Sequence, residues 1–422
     1  MGPARRGGRD LPAPPDGLPD IADPGVWERH VPHQTFAWLR AHDPVSWWRL
    51  GGGDGFWAVT RHEDVLAVSR DVATFSSRSG VISYEDLPAE QADARRTMLE
   101  EDPPRHTALR GLVNRDFLPR QVARHEAALR RLVAGTVERA ATGEPVDAVA
   151  TVARQIPIRL LCGILGVPGA AADDLVRWGN ELIGQDDPEY GPPLPAAERA
   201  RWHHLPFGHP ASLRVFELAR SLRRERLARP RDDVLTRLAT AEAGGRRLTG
   251  AEFDRYFLML VVAGNETTRH AISAGLLALA EHPSQWERLR RGGRCAAAAE
   301  EVLRWSTPIS FHRRTATRDV ELRGRRIRRG DKLGMYYAAA NRDERVFDRP
   351  AAFDVTRRPN DHLTFGKAGP HFCLGASLAR LELRLLLEEL AARVGEIEPA
   401  GPARRLRSNH INGLKELPLR LG

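Results

Sequence analysis

The stretch Phe365-Gly366-Lys367-Ala368-Gly369-Pro370-His371-Phe372-Cys373-Leu374-Gly375 decides how this chain is read. It is an irregular, glycine-punctuated run that delivers one cysteine to the start of an amphipathic segment, Leu374 to Val394. A sulfur at a helix N-terminus meets the positive end of the helix dipole and several unpaired backbone N–H groups. That setting favours thiolate over thiol. Gly369 and Gly375 let the backbone approach a bulky group. The run has no second cysteine for a disulfide or an iron–sulfur cluster.

A lone thiolate among backbone donors suits the axial ligand of a haem iron. On these residues the chain resembles the cytochrome P450 family, whose cysteine loop reads Phe-Gly-x-Gly-x-His-x-Cys-x-Gly. This loop carries one residue more than the common spacing, so counting back from Cys373 places Gly366 where phenylalanine usually stands, and Phe365 one step further out. Some bacterial members that act on sterol side chains and methyl-branched lipids share the extra residue. The resemblance implies a mainly α fold with a small β region and a long central helix over a haem. Cys373 would be the iron's axial ligand, with Phe365, Gly366 and His371 in the haem-binding loop.

Composition narrows the class. The 422 residues, 42% of them hydrophobic, suffice for a large α-rich unit. No apolar stretch reaches the roughly 20 residues that span a bilayer. Residues 1–20 are rich in Gly, Pro and Arg and read as a disordered tail without a signal-peptide core. Residues 21–422 read as one haem domain, and a soluble cytoplasmic enzyme follows. Three cysteines (Cys162, Cys295, Cys373) are too few for a disulfide scaffold, and the first two read as core. The net charge of +9 comes from arginines interleaved with acids, with lysine only at 332, 367 and 415. That is a solvated face; no nucleic-acid module is present. His203, His204 and His209 cluster in a loop without the acid or cysteine that would complete a metal site.

Along the chain, Val31–His42 reads as a helix. Val45–Leu50 and Gly55–Thr60 read as strands joined by a hairpin at Gly51-Gly52-Gly53-Asp54. Helical periodicity marks 61–70, 103–112, 121–140, 147–166, 170–184, 211–228 and 232–243. Residues 72–101 show few periodic features, and 184–210 reads as a long exposed loop. Thr249 to Glu281 reads as one helix of about 48 Å at ~1.5 Å per residue. Two shorter helices, strand pieces over 309–332 and an irregular stretch over 342–364 precede the cysteine loop.

Three constellations carry chemistry. Ala263-Gly264-Asn265-Glu266-Thr267-Thr268 sits in the middle of the long helix. Gly264 and the Thr267 hydroxyl weaken the helical ladder there, beside an acid. By resemblance, Ala263 and Gly264 line the oxygen site over the distal haem face, Thr267 hydrogen-bonds the ligand on iron, and Glu266 relays protons to it. Glu301-Val302-Leu303-Arg304 has the three-residue spacing that puts acid and base on one helix face. It resembles the family's Glu-x-x-Arg pair that anchors the cysteine side. Ala352 stands where that network's further arginine is expected, leaving Arg357 or Arg349 as its replacement. His106 and Arg110, four apart on one helix face, join Arg314 and His371 as groups that resemblance assigns to the two haem propionates.

The resemblance spans about Asp20 to Leu421 and implies a monooxygenase that uses haem b (iron protoporphyrin IX). Thiolate donation from Cys373 would favour O–O cleavage. Nothing in the chain resembles a flavin or iron–sulfur module, so electrons from NAD(P)H would arrive through a separate ferredoxin and ferredoxin reductase. Lys367 and nearby arginines offer a docking surface. Val81, Ile82, Val262, Ile309, Phe311, His312, His410 and Ile411 are the expected substrate-lining residues. Thr74-Phe75-Ser76-Ser77, Ala339-Ala340-Asn341-Arg342-Asp343-Glu344 and Ser408-Asn409-His410-Ile411-Asn412-Gly413 resemble the steroid and branched-lipid branch. Polar His312 and His410 keep open a second reading, tailoring of a terpenoid, polyketide or peptide product. A haem sensor or a peroxide-driven enzyme is a remoter alternative, disfavoured by the acid–alcohol pair.

Overall fold

Thr249 opens the longest helix. Its hydroxyl accepts from the Glu252 N–H at 3.2 Å, and the Glu252 carboxylate accepts from the Thr249 N–H at 2.8 Å. That capping box starts 32 unbroken helical residues, Gly250–Glu281. The computed structural model describes residues 15 and 17–422, except 51–53, 185, 192 and 193. The helix runs through Gly264 and Thr267 without a break, and the Thr267 hydroxyl donates to the carbonyl four residues back, as expected. A Cβ on Gly264 would come within 3.2 Å of Leu161, so this glycine serves close packing against helix Gln155–Leu165.

Around this axis lie the helices Glu126–Ala140, Gln155–Leu165, Ala172–Ile183, Ala211–Ala228 and Cys295–Ser306, and the post-cysteine helix Ala376–Arg393. The pattern over 121–140 divides into Pro119–Val122 and Glu126–Ala140, and the one over 147–166 gains a π turn at Val149–Ala153. The connection 72–101 is less irregular than its composition suggests, containing strand Phe75–Ser76 and helix Ala89–Arg95. A helix, Ala196–Trp202, also interrupts the expected 184–210 loop.

The β region is a five-stranded sheet in the order Val45–Arg49, Gly55–Val59, Lys332–Tyr336, Phe311–Ala316, Phe75–Ser76. The first two strands pair antiparallel, as expected of a hairpin, while Gly51–Gly53 of its turn lie outside the described residues. Of the tail expected over 1–20, residues 1–14 and 16 lie outside them too. Pro19 is already tied to the body, its carbonyl accepting from Thr35 Oγ1 at 2.9 Å. Strand Pro145–Asp147 pairs with the last strand, Pro418–Leu421, so the C-terminus is stitched back onto the helical part.

One buried acid in this core is unused by any site below. Glu382 is 1% exposed, its Oε2 has no partner, and burial raises its carboxyl from the ordinary 4.5 to about 8. The folded protein holds it neutral, so it costs nothing below the unfolded-state pKa. Stability falls by about 1.4 kcal/mol per pH unit between about 4.5 and about 8. Glu382→Gln is expected to match the parent near pH 4.5 and to unfold later than it above pH 7. Equal denaturation midpoints for the pair across that range would refute this.

Candidate active site

Cys373 is positioned by backbone. Its N–H donates to the Phe365 carbonyl at 2.9 Å, closing the loop, and Gly366 turns the chain at φ +67°. Ala368, within the stretch that carries the additional residue, also takes a positive φ, +72°. Gly369 passes the end of helix His62–Arg70 so closely that a Cβ would lie 2.3 Å from the Ser69 carbonyl oxygen. The post-cysteine helix begins at Ala376 with Gly375 as its N-cap, two residues later than expected, so the sulfur sits just ahead of the first turn. Burial raises the thiol above its ordinary range, outweighing the Gly375 N–H, Arg110 and Arg380, which all favour thiolate. Backbone donors and the helix end favour the thiolate as the sequence suggests, but burial outweighs them here, and a bound metal cation would be needed to deprotonate this sulfur.

Four basic groups gather beside the loop. Arg110 donates to the Phe372 carbonyl at 2.6 Å and to the Pro370 carbonyl at 3.4 Å. The rings of His106 and His371 lie 4.2 Å apart, and His371 Nε2 meets Ser77 Oγ at 3.2 Å. Arg314 is buried and donates to its neighbour's carbonyl, Arg313 O, at 2.8 Å. Burial, then the positive charges of Arg314, His106 and Arg110, push His371 down to about 2; burial and Arg110 push His106 to about 4. His106 Nδ1 and Arg314 Nε are buried without partners. Such a cluster, dry and short of acceptors, fits carboxylates supplied by a ligand.

The central helix faces this region from the other side. Between Tyr256 and Ser273 it is buried except at Val262, Ala263, Gly264 and Thr267, which therefore border an internal space. Tyr256 donates to the Leu109 carbonyl at 2.9 Å, fixing the helix against Arg105–Gly111, which carries His106 and Arg110. Thr267 donates to the Ala263 carbonyl at 2.8 Å. Glu266 does not share that face. It is 1% exposed, accepts from Asn265 Nδ2 at 2.9 Å, and is paired with Arg269, which also donates to Asn180 Oδ1 at 2.8 Å. Arg269 escaped the sequence reading, although it stands three residues after Glu266, the spacing noted for Glu301 and Arg304.

On the cysteine side, Glu301 and Arg304 are both 0% exposed and joined by two hydrogen bonds, 2.7 and 2.8 Å. Arg357 completes the network, with Nε 3.1 Å from Glu301 Oε2 and further bonds to the Arg349 and Ala352 carbonyls. Arg349 itself points outward to Asp348. Asn360, absent from the sequence reading, adds a bond to Glu301 at 3.0 Å. Arg380 lies 4.6 Å from the Phe365 ring centre and is bound to Glu300, so it clamps the loop from the post-cysteine helix. Lys367 is paired with Asp361, which offsets the charge expected there for docking.

Of the expected substrate-lining residues, Ile82, Val262, Ile309, His312 and His410 keep accessible surface. Val81, Phe311 and Ile411 are 3%, 1% and 6% exposed. Strand alternation turns Phe311 into an aromatic stack with Tyr84 at 4.6 Å, which leaves its side chain almost no accessible surface.

Three comparisons agree with this geometry. The cytochrome P450 family model matches residues 295–392. The chain is 39% identical over 420 residues to the steroid C26-monooxygenase of Mycobacterium tuberculosis, covering 96% of this chain and 93% of that one. It is 38% identical over 396 residues to the methyl-branched lipid omega-hydroxylase of the same organism, covering 91% and 90%. A Mycobacterium marinum cytochrome P450 solved in complex with pseudoionone superposes with a TM-score of 0.86 at 38% identity, covering 96% and 99%. The chain belongs to the cytochrome P450 family. Like these relatives it is a monooxygenase, and membership implies haem iron. The residues present fit that group: one cysteine on a closed loop, and four basic groups with two orphaned nitrogens for its carboxylates. Among the described residues no helix is long and apolar enough to cross a membrane.

Proposed function

We propose that this enzyme hydroxylates an unactivated C–H bond on the aliphatic side chain of a steroid or methyl-branched lipid. The single observation that carries this is the near full-length similarity to relatives named for those two reactions. Tailoring of a natural product is less favoured: the structural neighbour crystallised with erythromycin B is only 31% identical. Residues 21–422 act as one haem domain, with electrons passing from NAD(P)H through a ferredoxin and its reductase.

Haem, when bound, supplies the iron at which dioxygen is activated. Cys373 Sγ, steadied by the Gly375 N–H, would be its protein ligand. His106, Arg110, Arg314 and His371 would hold its two carboxylates, the loop's Phe365 and Gly366 would line its site, and Ala263 and Gly264 would leave room for a small ligand. Thr267, whose hydroxyl oxygen keeps free lone pairs while it donates to the Ala263 carbonyl, accepts a proton there and passes one on. Glu266, the acid that the resemblance assigns to the relay, is buried in its pair with Arg269 and would have to leave that pair to serve Thr267.

The substrate class is tested by titrating the reduced-partner-free holoenzyme with cholest-4-en-3-one and with a branched fatty acid. Either is expected to displace distal water and shift the Soret band, and failure of both would reject this reading. Separately, Thr267→Ala is expected to cut product formed per NAD(P)H by about 100-fold, the lower end of the range for a lost proton-transfer group. Unchanged coupling, measured as product against cofactor consumed, would remove Thr267 from the relay.

A further inference from the structure

Away from the cysteine loop, a cleft of about 370 Å³ opens where helix His33–His42 ends and strand Val45–Arg49 begins. Arg61, Arg323 and Arg325 line it with His42, and Asp43 is its one lining acid. Arg61 is the N-cap of helix His62–Arg70. The other two arginines flank Gly324 in the turn between strands Val320–Leu322 and Arg325–Ile327, where Arg323 and Gly324 both take positive φ, +49° and +70°. Two separate parts of the chain therefore bring three guanidinium groups to one opening.

Each fork is fixed by part of its edge, and the rest is unspent. Arg61 Nε donates to the Arg40 carbonyl at 2.9 Å, while its two terminal nitrogens make no hydrogen bond to the described residues. Arg323 commits Nε and Nη2 to Asp64 and Glu63, and Arg325 commits Nη2 to Asp43 Oδ1 at 2.9 Å, which leaves Nη1 of each. The acids thus hold two of the forks in place without covering them: the Arg323 and Arg325 side chains stay 30% and 31% exposed. Burial and the charges of Arg345 and Arg323 lower the Arg61 pKa, so this guanidinium is crowded by its own kind.

We propose that this cleft binds a phosphoryl dianion, with Arg61, Arg323 and Arg325 donating to its oxygens. A guanidinium has only donors, and its planar fork matches two oxygens of a phosphate at once. Small-molecule sites start at roughly 300 Å³, so the cleft has room for a modest body attached to the phosphoryl group. It shares no residue with the haem site. Helix His62–Arg70 lies between them, with Ser69 at its far end against Gly369 of the cysteine loop. The hydroxylase reading therefore stands or falls independently.

The test uses the holoenzyme, in which haem already occupies the basic cluster beside Cys373. Inorganic phosphate is expected to raise the thermal midpoint where sodium chloride of equal ionic strength does not. Calorimetric titration then compares inorganic phosphate with ribose 5-phosphate: tighter binding of the ester assigns a phosphorylated small molecule, and equal binding assigns free phosphate. Arg61→Gln and Arg325→Gln are each expected to weaken binding about tenfold or more, the loss of a charge-assisted contact. Arg61→Lys, which keeps the charge but not the fork, should recover part of it. An unchanged carbon monoxide spectrum marks each variant as folded. The site is overturned if phosphate acts on the parent no differently from chloride, a comparison that needs no variant. It is equally overturned if both glutamine variants keep the parent's affinity, which would place the anion elsewhere.

Discussion

Cys373→Ala is expected to abolish turnover and to erase the far red-shifted absorption that the reduced protein shows under carbon monoxide. The substitution is clean because the loop does not depend on the sulfur. Its closing bond runs from the residue 373 N–H to the Phe365 carbonyl, and Gly366 keeps its turn whatever side chain follows. Arg110 binds backbone carbonyls of the loop, so the basic cluster stays assembled. Porphyrin is therefore expected to remain, bound through its carboxylates but without its axial sulfur. Because burial raises the thiol, the parent must release a proton as the iron binds, and haem uptake is expected to improve as pH rises through neutrality. The Cys373→Ala protein should lack that dependence. Retained carbon monoxide absorption at the thiolate position would contradict the assignment of this residue outright.

The second large effect is at Glu301. Its carboxylate is fully buried and is shared by Arg304 and Arg357, with Asn360 and the Asp354 N–H as further donors. Glu301→Ala strands two guanidinium groups that solvent scarcely reaches. Breaking a buried pair in this way costs about 3–5 kcal/mol, against the 5–15 kcal/mol that holds a typical domain together. At ~2 cal/mol/K per residue of unfolding entropy, a chain of 422 residues should lose roughly 4–6 °C of thermal midpoint. Haem content should fall with it, since Arg304 also holds the Asn341, Pro350 and Ala352 carbonyls that shape the approach to the cysteine loop. Glu301→Gln, which keeps the shape but not the charge, should fall between. A shift below about 1 °C for Glu301→Ala would show that the network is dispensable.

Much of this was legible in one dimension because it rests on short-range rules. The 3.6-residue period disclosed the central helix, Thr249 to Glu281, almost to the residue. The run around Cys373 disclosed the closed cysteine loop and, with it, the family. What stayed hidden depends on long-range pairing. Nothing local says that Arg357 and not Arg349 turns inward to Glu301. Nor does spacing show that Glu266 points away from Thr267 into a pair with Arg269 and on to Asn180, a residue 89 positions from Arg269. Which face of a strand a side chain takes depends on register, so the sequence does not show that Phe311 stacks on Tyr84 and is 1% exposed. The thiol's raised pKa has the same origin: the helix end is visible in the sequence, while the burial that outweighs it is a property of the assembled core.

Ala368 shows how the loop absorbs its additional residue. A left-handed alanine costs roughly 1–2 kcal/mol, yet it lets the surplus bulge outward while the bond from Cys373 to Phe365 stays at 2.9 Å. The anchor points are thus preserved at the two ends of a segment whose length has changed. A fixed-length signature searched from its aromatic end would pass over this protein, whereas one keyed to the sulfur and read toward the N-terminus would find it.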